Sequence, residues 1–167
     1  MKRFGFENSR LVLIPLQPGL LRQNSNPINP VKSTEVKLYQ KIIGTAIYLL
    51  TQTQPDIGFP IQWLSRFLQK PLQTHLNASK NLLKFTGGTE DLSICYGRKS
   101  LTNGLQPIEY YDSDFASDKE SSKSTYNYVF KFAGGPISWK SKRASTIALS
   151  TLEVETDAFT EGIREVS

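Results

Sequence analysis

Apolar residues recur at the spacing of an α-helix three times between residues 33 and 88. The first repeat follows Ser33 or Thr34, either of which suits a helix N-cap, and contains Tyr39, Ile43, Ala46, Ile47 and Leu50. The second contains Ile57, Ile61, Leu64, Phe67 and Leu68, and the third Leu72, Leu76, Ser79, Leu83 and Thr86. Pro60 fits only near the start of the second helix, and Gly87-Gly88 ends the third. This pattern predicts a small bundle of three short helices.

The pattern changes after residue 88 to short runs of strand-forming residues. Residues 92–96 and 108–111 have strand-like composition, and Tyr126, Tyr128, Phe130 and Phe132 alternate on one face of a further strand. Gly134-Gly135 predicts a turn into a short partner strand at 137–140. Helical spacing returns from about residue 151 to residue 166. Strands followed by a helix predict an α/β or α+β domain.

The stretch before the first helix is rich in proline. Pro15, Pro18, Pro27 and Pro30 lie within residues 7–34, and proline fixes φ and removes a hydrogen-bond donor. We therefore expect three parts: an irregular tether at residues 1–34, a helical segment at 35–90 and a strand-containing domain at 91–167.

Composition narrows the possible chemistry. Hydrophobic residues make up 38% and charged residues 21%, which is typical of a soluble globular protein. No apolar run reaches the roughly 18 residues of a membrane span, and the first residues lack the apolar core of a signal peptide. We therefore expect an intracellular protein, cytoplasmic or nuclear, with no membrane partner. The net charge of +5 slightly favours an acidic partner such as nucleic acid.

The chain has one cysteine and one histidine. Cys95 cannot form an internal disulfide, and its surroundings predict a small buried residue in a strand. His75 has no visible catalytic partner, so a structural role is expected. Any catalysis would therefore depend on carboxylates.

Glu155 is the unusual carboxylate of the last predicted helix. The apolar side of this helix comprises Leu152, Phe159, Ile163 and Val166. The opposite side carries an acidic row typical of a solvated face: Glu153, Asp157, Glu161 and Glu165. Glu155 follows Leu152 by three residues and precedes Phe159 by four, so it points with the apolar side. Because a buried unpaired carboxylate is costly, Glu155 is expected at an edge that reaches water, in a buried ion pair, or on a metal ion.

A second group of carboxylates follows the strand at residues 108–111. Asp112 and Asp114 project to one face if the strand continues, and Asp118 lies four residues further on. Two carboxylates on one face can hold a hard cation such as magnesium, although an Asp-Ser-Asp turn is an equal alternative. An aspartate at a strand end that faces a helix glutamate would form half of a two-metal hydrolytic site.

The run around Trp139 is the basic candidate. Lys140, Lys142 and Arg143 can contact phosphates, and Trp139 offers a stacking surface. A solvated hairpin end with a packed tryptophan is the competing interpretation.

Several motifs carry a family resemblance. Residues 110–118 (Y-Y-D-S-D-F-A-S-D) resemble Y-S-D-A-D-W-A-G-D, and residues 123–130 (K-S-T-Y-N-Y-V-F) resemble K-S-T-S-G-Y-V-F. Residues 137–142 read I-S-W-K-S-K, and residues 148–155 resemble A-L-S-S-T-E-A-E. Residues 39–49 are similar to Y-R-S-L-V-G-S-L-x-Y-L, and residues 54–57 to R-P-D-I with Gln54 in place of arginine. These are motifs of the copia-type class of LTR-retrotransposon Pol polyproteins, and the resemblance covers nearly the whole chain.

The resemblance implies an α+β fold. Residues 1–34 would come from the end of the polymerase module, and residues 35–90 would form a small helical bundle like the thumb or connection of a reverse transcriptase. Residues 91–167 would form a truncated ribonuclease H-like domain, a three-stranded antiparallel sheet with one C-terminal helix.

The resemblance also implies a site. Asp112 matches the first catalytic aspartate, and Glu155 matches the helix glutamate that shares a magnesium ion with it; Asp114 and Glu153 match secondary acids. The parent enzyme copies RNA into DNA and cleaves the RNA strand of RNA–DNA hybrids by two-metal hydrolysis. An RNA–DNA hybrid or another nucleic acid is therefore the expected partner, together with the remainder of a Pol polyprotein.

The family's remaining motifs decide whether activity is expected. Further acidic ligands belong after residue 167, and the Tyr-Val-Asp-Asp polymerase motif belongs before residue 1. We therefore expect a fragment that is inactive alone. A non-enzymatic nucleic-acid-binding remnant and a nuclease completed by another chain are the alternatives.

Overall fold

The computed structural model describes residues 12–17, 31–97, 106–114 and 123–145. It also describes single positions between 147 and 160: Ile147, Ser150, Leu152, Glu153, Glu155, Thr156, Phe159 and Thr160. The chain divides into two compact units, Met1–Ser93 and Ile94–Ser167. The described helices and an antiparallel sheet make the fold α+β, as predicted. None of the helices in these described ranges combines the length and apolar character that crossing a membrane requires.

The first unit contains the three predicted helices. They are α1 (Ser33–Gln52), α2 (Gly58–Ser65) and α3 (Gln73–Gly88), with a short 3-10 helix at Pro55–Ile57 before α2. One apolar cluster lies between them, formed by Tyr39, Ile43, Ala46, Ile57, Ile61, Leu64, Leu76, Ala78, Leu82 and Phe85. The helical spacing in the sequence therefore located the core correctly, apart from Ile47, which is exposed.

The predicted N-cap of α1 was wrong. Lys32 occupies that position with an extended backbone, and Ser33 is the first helical residue. Lys32 has no side-chain oxygen, but its own N–H donates to the Glu35 carboxylate at 3.1 Å. One half of a capping box therefore replaces the expected serine or threonine cap.

The second predicted helix ends earlier than its apolar pattern. Pro60 lies in the first turn of α2, where proline is tolerated. Phe67 and Leu68 lie beyond Ser65 and are only half-buried. The Arg66 N–H bonds to the Trp63 carbonyl at 3.3 Å, so the chain tightens into turns at this point.

Tyr39 ties α1 to α2. Its side chain is fully buried, and its hydroxyl donates to the Leu64 carbonyl at 2.6 Å. Burial raises the pKa of the Tyr39 phenol, so the hydroxyl keeps its proton and remains a donor.

His75 has the structural surroundings that were expected of it. Its buried ring stacks on Phe67 with centroids 3.7 Å apart and meets Trp63 edge-on at 5.4 Å. Its Nδ1 accepts a hydrogen bond from the Leu72 N–H at 3.2 Å, at the start of α3. His75 therefore both packs the core and satisfies one backbone donor at a helix terminus.

Leu16 also packs into this core, and the proline-rich composition around it gave no sign of that contact. A single apolar side chain in an irregular stretch has no periodicity to mark it.

The second unit contains three strands, β1 (Ile108–Asp114), β2 (Thr125–Phe132) and β3 (Gly135–Arg143). They form an antiparallel sheet in the order β1-β2-β3. The β3 strand extends three residues beyond the predicted end at residue 140. The turn falls at Ala133 and Gly134, with φ of 50° and 89°, one residue before the predicted pair.

Residues 92–97 were predicted to contain a strand, and that prediction was wrong. The structure assigns no strand there, and Cys95 is exposed, not buried. Two hydrogen bonds connect the segment to the β2–β3 turn region instead. The Gly97 N–H donates to the Ala133 carbonyl at 2.8 Å, and the Tyr96 hydroxyl donates to the Pro136 carbonyl at 2.6 Å.

Replacing Gly135 with alanine tests this fastening. A Cβ there would lie 2.6 Å from the Tyr96 ring and 2.9 Å from the Cys95 carbonyl oxygen, so the segment must shift. We expect a loss of about 1–3 kcal/mol in the stability of the second unit, as for other overpacked sites. Denaturant unfolding measures the loss, and hydrogen exchange at the Gly97 amide should accelerate.

The double variant Gly135→Ala/Tyr96→Ala removes one side of the clash and should recover part of the stability relative to the sum of the single changes. Strictly additive losses, or unchanged exchange at Gly97, would show that Tyr96 does not pack on Gly135.

Candidate functional site

Asp112 and Asp114 lie near the C-terminal end of β1. The strand continues through Asp114, so the two carboxylates share one face of the sheet, as predicted. Both side chains are exposed. Ser113 between them points the other way and is half-buried.

Strand register divides the second unit's side chains between two faces. The face that carries Asp112, here called the carboxylate face, contains Ile108, Tyr110, Asp112, Asp114, Thr125, Asn127, Val129, Lys131, Trp139, Ser141 and Arg143. The other, here called the aromatic face, contains Glu109, Tyr111, Ser113, Tyr126, Tyr128, Phe130, Ser138, Lys140 and Lys142. The predicted alternation along β2 is confirmed, because Tyr126, Tyr128 and Phe130 are all buried.

Cross-strand rows organise the carboxylate face. Three rows follow one another toward the end of β1: Tyr110–Val129–Trp139, then Asp112–Asn127–Ser141, then Asp114–Thr125–Arg143. The first row is largely aromatic and the second is polar. The third has a negative charge at one end, on Asp114, and a positive charge at the other, on Arg143. Side chains directly opposite each other in such rows have Cβ atoms about 4.5–5.5 Å apart.

Glu155 lies in a helical stretch. The Thr156 hydroxyl donates to the Leu152 carbonyl and the Thr160 hydroxyl to the Thr156 carbonyl, both at 2.8 Å and four residues back, as in an α-helix. The Glu153 N–H donates to Ser150 Oγ at 3.2 Å, which is an N-cap contact. Glu153 is exposed, as expected for the acidic row.

Glu155 lies beside apolar residues of its helix, but this position does not bury its side chain. Its side chain is exposed, and its apolar neighbours Leu152 and Phe159 are 70% and 51% exposed. Of the three alternatives considered for Glu155, a buried ion pair is therefore excluded, because the side chain is exposed. An edge position that reaches water fits the structure, and the metal-ligand role stays a prediction.

One ring contact joins the helical stretch to β1. The Phe159 and Tyr111 ring centroids lie 5.7 Å apart with an edge-on geometry. Tyr111 neighbours Asp112 in sequence, yet it projects from the aromatic face while Asp112 projects from the carboxylate face. The described contacts thus bring the helical stretch to β1 but do not join Glu155 to Asp112.

Tyr111 is held in place on its face. Its hydroxyl donates to the Glu109 carboxylate, two residues earlier on the same side of β1. Desolvation, together with the hydrogen bond and charge of Glu109, raises the pKa of Tyr111 to about 12. The phenol is therefore neutral at physiological pH and serves as a packing and hydrogen-bonding group.

The donor chemistry of Asp112 and Asp114 suits magnesium, which prefers oxygen ligands. The described residues contain no cluster of three or more aspartate, glutamate, histidine or cysteine side chains able to hold a metal ion. Within that part of the chain the ligand type fits magnesium and the ligand number is too small.

The predicted basic run does not form one surface at a hairpin end. It lies within β3, so Trp139 and Arg143 share the carboxylate face while Lys140 and Lys142 lie on the aromatic face. Lys142 Nζ lies 5.8 Å from the centre of the Tyr126 ring there. Alternation would have predicted this division if the length of β3 had been known.

Gly44 is a candidate functional residue that the hydrophobic pattern did not single out. It lies in the middle of α1, and nothing lies within 4 Å of where its Cβ would be. The exposed apolar side chains Ile47 and Tyr48 follow it by one turn, at 40% and 66% exposure. The available signal was a glycine on the helix face opposite the apolar stripe, where no packing requires it.

Neither a protein-family model nor a solved structure gives a significant match to this chain. Curated sequences do match. The chain is 36% identical over 171 residues to the retrovirus-related Pol polyprotein from transposon TNT 1-94 of Nicotiana tabacum, which covers 99% of this chain and 12% of that polyprotein. It is 36% identical over 124 residues to the corresponding polyprotein of transposon RE1 of Arabidopsis thaliana, covering 74% of this chain and 8% of that polyprotein.

A shorter relative matches as well. The secreted RxLR effector protein 161 of Plasmopara viticola is 35% identical over 127 residues, which are 76% of this chain and 87% of that protein. The chain thus spans a small part of the two polyproteins and most of this shorter protein. Matches of this extent to several transposon polyproteins agree with the motifs around Asp112 and Glu155, and the chain belongs to the family of copia-type retrotransposon Pol polyproteins.

Proposed function

We propose that this chain is the Pol segment spanning the end of a reverse transcriptase and the start of its ribonuclease H domain. In this proposal Asp112 and Glu155 contribute to a nuclease site that cleaves the RNA strand of an RNA–DNA hybrid. The observation that carries it is the arrangement around β1. Asp112 lies near the end of the first strand of an antiparallel meander, and the later helical residues that include Glu155 contact that same strand through Phe159.

The proposed roles follow from the side chains. Asp112 and Glu155 would accept a divalent cation through their carboxylate oxygens, and Asp114 and Glu153 would be secondary acids nearby. Magnesium, when bound, would activate a water molecule and stabilise charge on the scissile phosphate. Exposure of Asp112 and Glu155 leaves both carboxylates accessible to a cation and to a phosphate backbone.

This site needs additional ligands. A two-metal centre requires more oxygen donors than two carboxylates provide, and magnesium demands near-octahedral coordination. We therefore propose that the remaining acids come from another segment of a Pol polyprotein, in the same chain or in a partner chain.

Nucleic-acid binding without cleavage is the second candidate, and α1 supplies the observation that favours it. Gly44 costs helix stability of about 1 kcal/mol relative to alanine without packing against anything described. The same solvent face carries Lys37 and Lys41, and the single acidic residue of α1, Glu35, is engaged at the N-terminus.

The missing side chain leaves a flat notch on a helix, and exposed Tyr48 stands beside it. A notch of this kind permits close approach of another backbone. Lysines before the notch suit phosphates, and the tyrosine ring suits a sugar or base edge. We therefore propose that this face of α1 contacts the sugar-phosphate backbone of the hybrid.

The first prediction concerns cleavage. The chain alone with magnesium should not cleave a labelled RNA–DNA hybrid above background, because its described residues supply too few carboxylates for a two-metal centre. Addition of a separately produced Pol segment carrying the later acids should restore cleavage. Asp112→Asn should then reduce the rate by at least about 100-fold, since even outer-shell changes at metal sites cost 10–100-fold.

The control variant for this assay is Asp91→Asn, an exposed aspartate in a turn of the other unit, which should leave cleavage unchanged. Cleavage by the chain alone that disappears in Asp112→Asn would show that the site is already complete. Restored cleavage that survives Asp112→Asn would rule out the assigned carboxylate.

The second prediction separates the two faces of the sheet. Arg143→Ala and Lys142→Ala each remove one positive charge from adjacent positions of β3. If the hybrid lies across the carboxylate face, Arg143→Ala should weaken hybrid binding several-fold and lower the slope of log K against log salt concentration by about 1. Lys142→Ala should leave both the affinity and this slope nearly unchanged. Fluorescence anisotropy across a salt series measures both, and equal effects would mean that net charge alone matters.

The third prediction uses Gly44→Ala. Alanine should stabilise α1 by up to about 1 kcal/mol, because it restores helix propensity at an open site. The same change should weaken hybrid binding about 10-fold by filling the notch. Thermal unfolding measures the gain in stability, and fluorescence anisotropy measures the loss of hybrid binding.

Thr45→Ala, one position round the helix, is the matched control and should not weaken binding. Unchanged binding in Gly44→Ala would mean that the notch is not a contact.

A further inference from the structure

The two faces of the sheet differ in how far their apolar side chains reach water. On the carboxylate face, Tyr110 of β1 is 53% exposed, and Ile108 of the same strand is exposed as well. Val129 and Trp139, which lie beside Tyr110 in one cross-strand row, are half-buried. The aromatic side chains of β2 on the opposite face are by contrast buried. Apolar side chains grouped on one exposed face typically mark an interaction site.

Charges of opposite sign flank the row Tyr110–Val129–Trp139. Lys131 follows Val129 by two residues on β2, and its Nζ lies 5.8 Å from the centre of the Tyr110 ring. Asp112 lies on the other side of the row. A lysine ammonium near an aromatic ring is attracted to the π-electrons of that ring. The row thus combines two aromatic rings with a cation along one margin.

These charges decide which kind of partner fits the row. An apolar protein segment laid across it would enclose Lys131 and Asp112 at its margins, and removing a charge from water without a partner is costly. A nucleotide supplies what the row lacks, since its base offers a flat π-face and its phosphate a negative charge for Lys131. Proteins that bind single-stranded nucleic acid use exposed aromatic rings with nearby cations, in some cases on an open antiparallel sheet.

We propose that the face around Tyr110 binds unpaired bases of single-stranded nucleic acid. One base stacks on the Tyr110 ring, and Lys131 contacts a phosphate on the side away from Asp112. Adjacent strands lie about 4.7–4.9 Å apart, so Trp139 leaves the sheet roughly 10 Å from Tyr110 and offers a second ring. A base inside a duplex has no free π-face, so the ligand is a single strand or the unpaired end of a hybrid.

Base binding at Tyr110 rests on the proposed function only for the class of its ligand, nucleic acid. It requires neither a bound metal ion nor cleavage. Binding is therefore measurable in EDTA, where the proposed nuclease site cannot act.

Anisotropy of the full chain with two labelled oligonucleotides in EDTA provides the test. One is an oligothymidylate, and the other has the same length and phosphates but abasic sugars. The thymine strand should bind at least about 5-fold more tightly, because a base stacked on an aromatic ring contributes at least that much. Tyr110→Leu keeps an apolar side chain without a π-face and should lose most of this preference, whereas Tyr110→Phe should keep it.

Lys131→Ala examines the phosphate contact. It should weaken binding of both strands alike and lower the slope of log K against log salt concentration by about 0.7, the value for one phosphate of a single strand. Lys70→Ala, which removes an exposed lysine of the first unit, should change neither the affinity nor this slope. The comparison of the two strands on the unchanged chain does not depend on the folding of any variant.

The possible results separate base binding from the proposed nuclease. Equal binding of the thymine and abasic strands to the unchanged chain would overturn the proposal, because phosphates alone would then account for the affinity. Dimers of the chain that Tyr110→Ala abolishes, without oligonucleotide binding, would overturn it in favour of a protein partner. Base-dependent binding without reconstituted cleavage would support base stacking and count against the nuclease site, and reconstituted cleavage without base preference would do the reverse.

Discussion

The pleat of the antiparallel sheet determines which side chains of the second unit can act together. Successive residues of a strand project to opposite faces, and the register of β1, β2 and β3 carries that alternation across all three strands. A slip of one residue would move every side chain of a strand to the other face. The buried ring of Tyr128 fixes the register from the aromatic side, because slippage would expose it to water. The placement of Asp112 on the carboxylate face is therefore a consequence of aromatic burial one strand away.

The alternation of side chains along β1 also limits how Asp112 and Glu155 could share a metal ion. Tyr111 and Asp112 leave β1 in opposite directions, and the helical residue Phe159 meets Tyr111. A metal ion shared by Asp112 and Glu155 therefore requires the glutamate to reach past the edge of β1, or the helix to change position when further ligands arrive. The exposure of Leu152 and Phe159 is consistent with the second route, because few apolar contacts hold this side of the helix.

Sequence patterns predicted those features that depend on repeated burial. Three helices, the alternation along β2 and the shared face of Asp112 and Asp114 all follow from apolar periodicity, which averages over many side chains. Features that depend on a single contact could not be predicted from this periodicity. Lys32 as N-cap, the buried Leu16 and the exposed Cys95 each depend on one local partner, and a one-residue error at the turn followed from the αL backbone of Ala133. The candidate acids were identified by motif resemblance, whereas the face that each basic residue occupies became clear only from the extent of β3 in the structure.

Two positions of this chain carry a local energetic cost, and they differ in how they compare with the related motif. Gln54 replaces the arginine of the related R-P-D-I motif, and its Oε1 is buried without a partner although its Nε2 donates to Thr89 Oγ1 at 3.0 Å. Arginine has only donors, so it could not leave such an acceptor unpaired. Gly44 is also costly, yet it matches the glycine of the related motif and faces open solvent. The cost at Gln54 arises where this chain departs from the motif, whereas the cost at Gly44 is shared with the motif and supports the proposed contact of α1 with nucleic acid. The proposed contact of α1 thus accounts for the glycine at position 44, whereas nothing in the structure accounts for the glutamine at position 54.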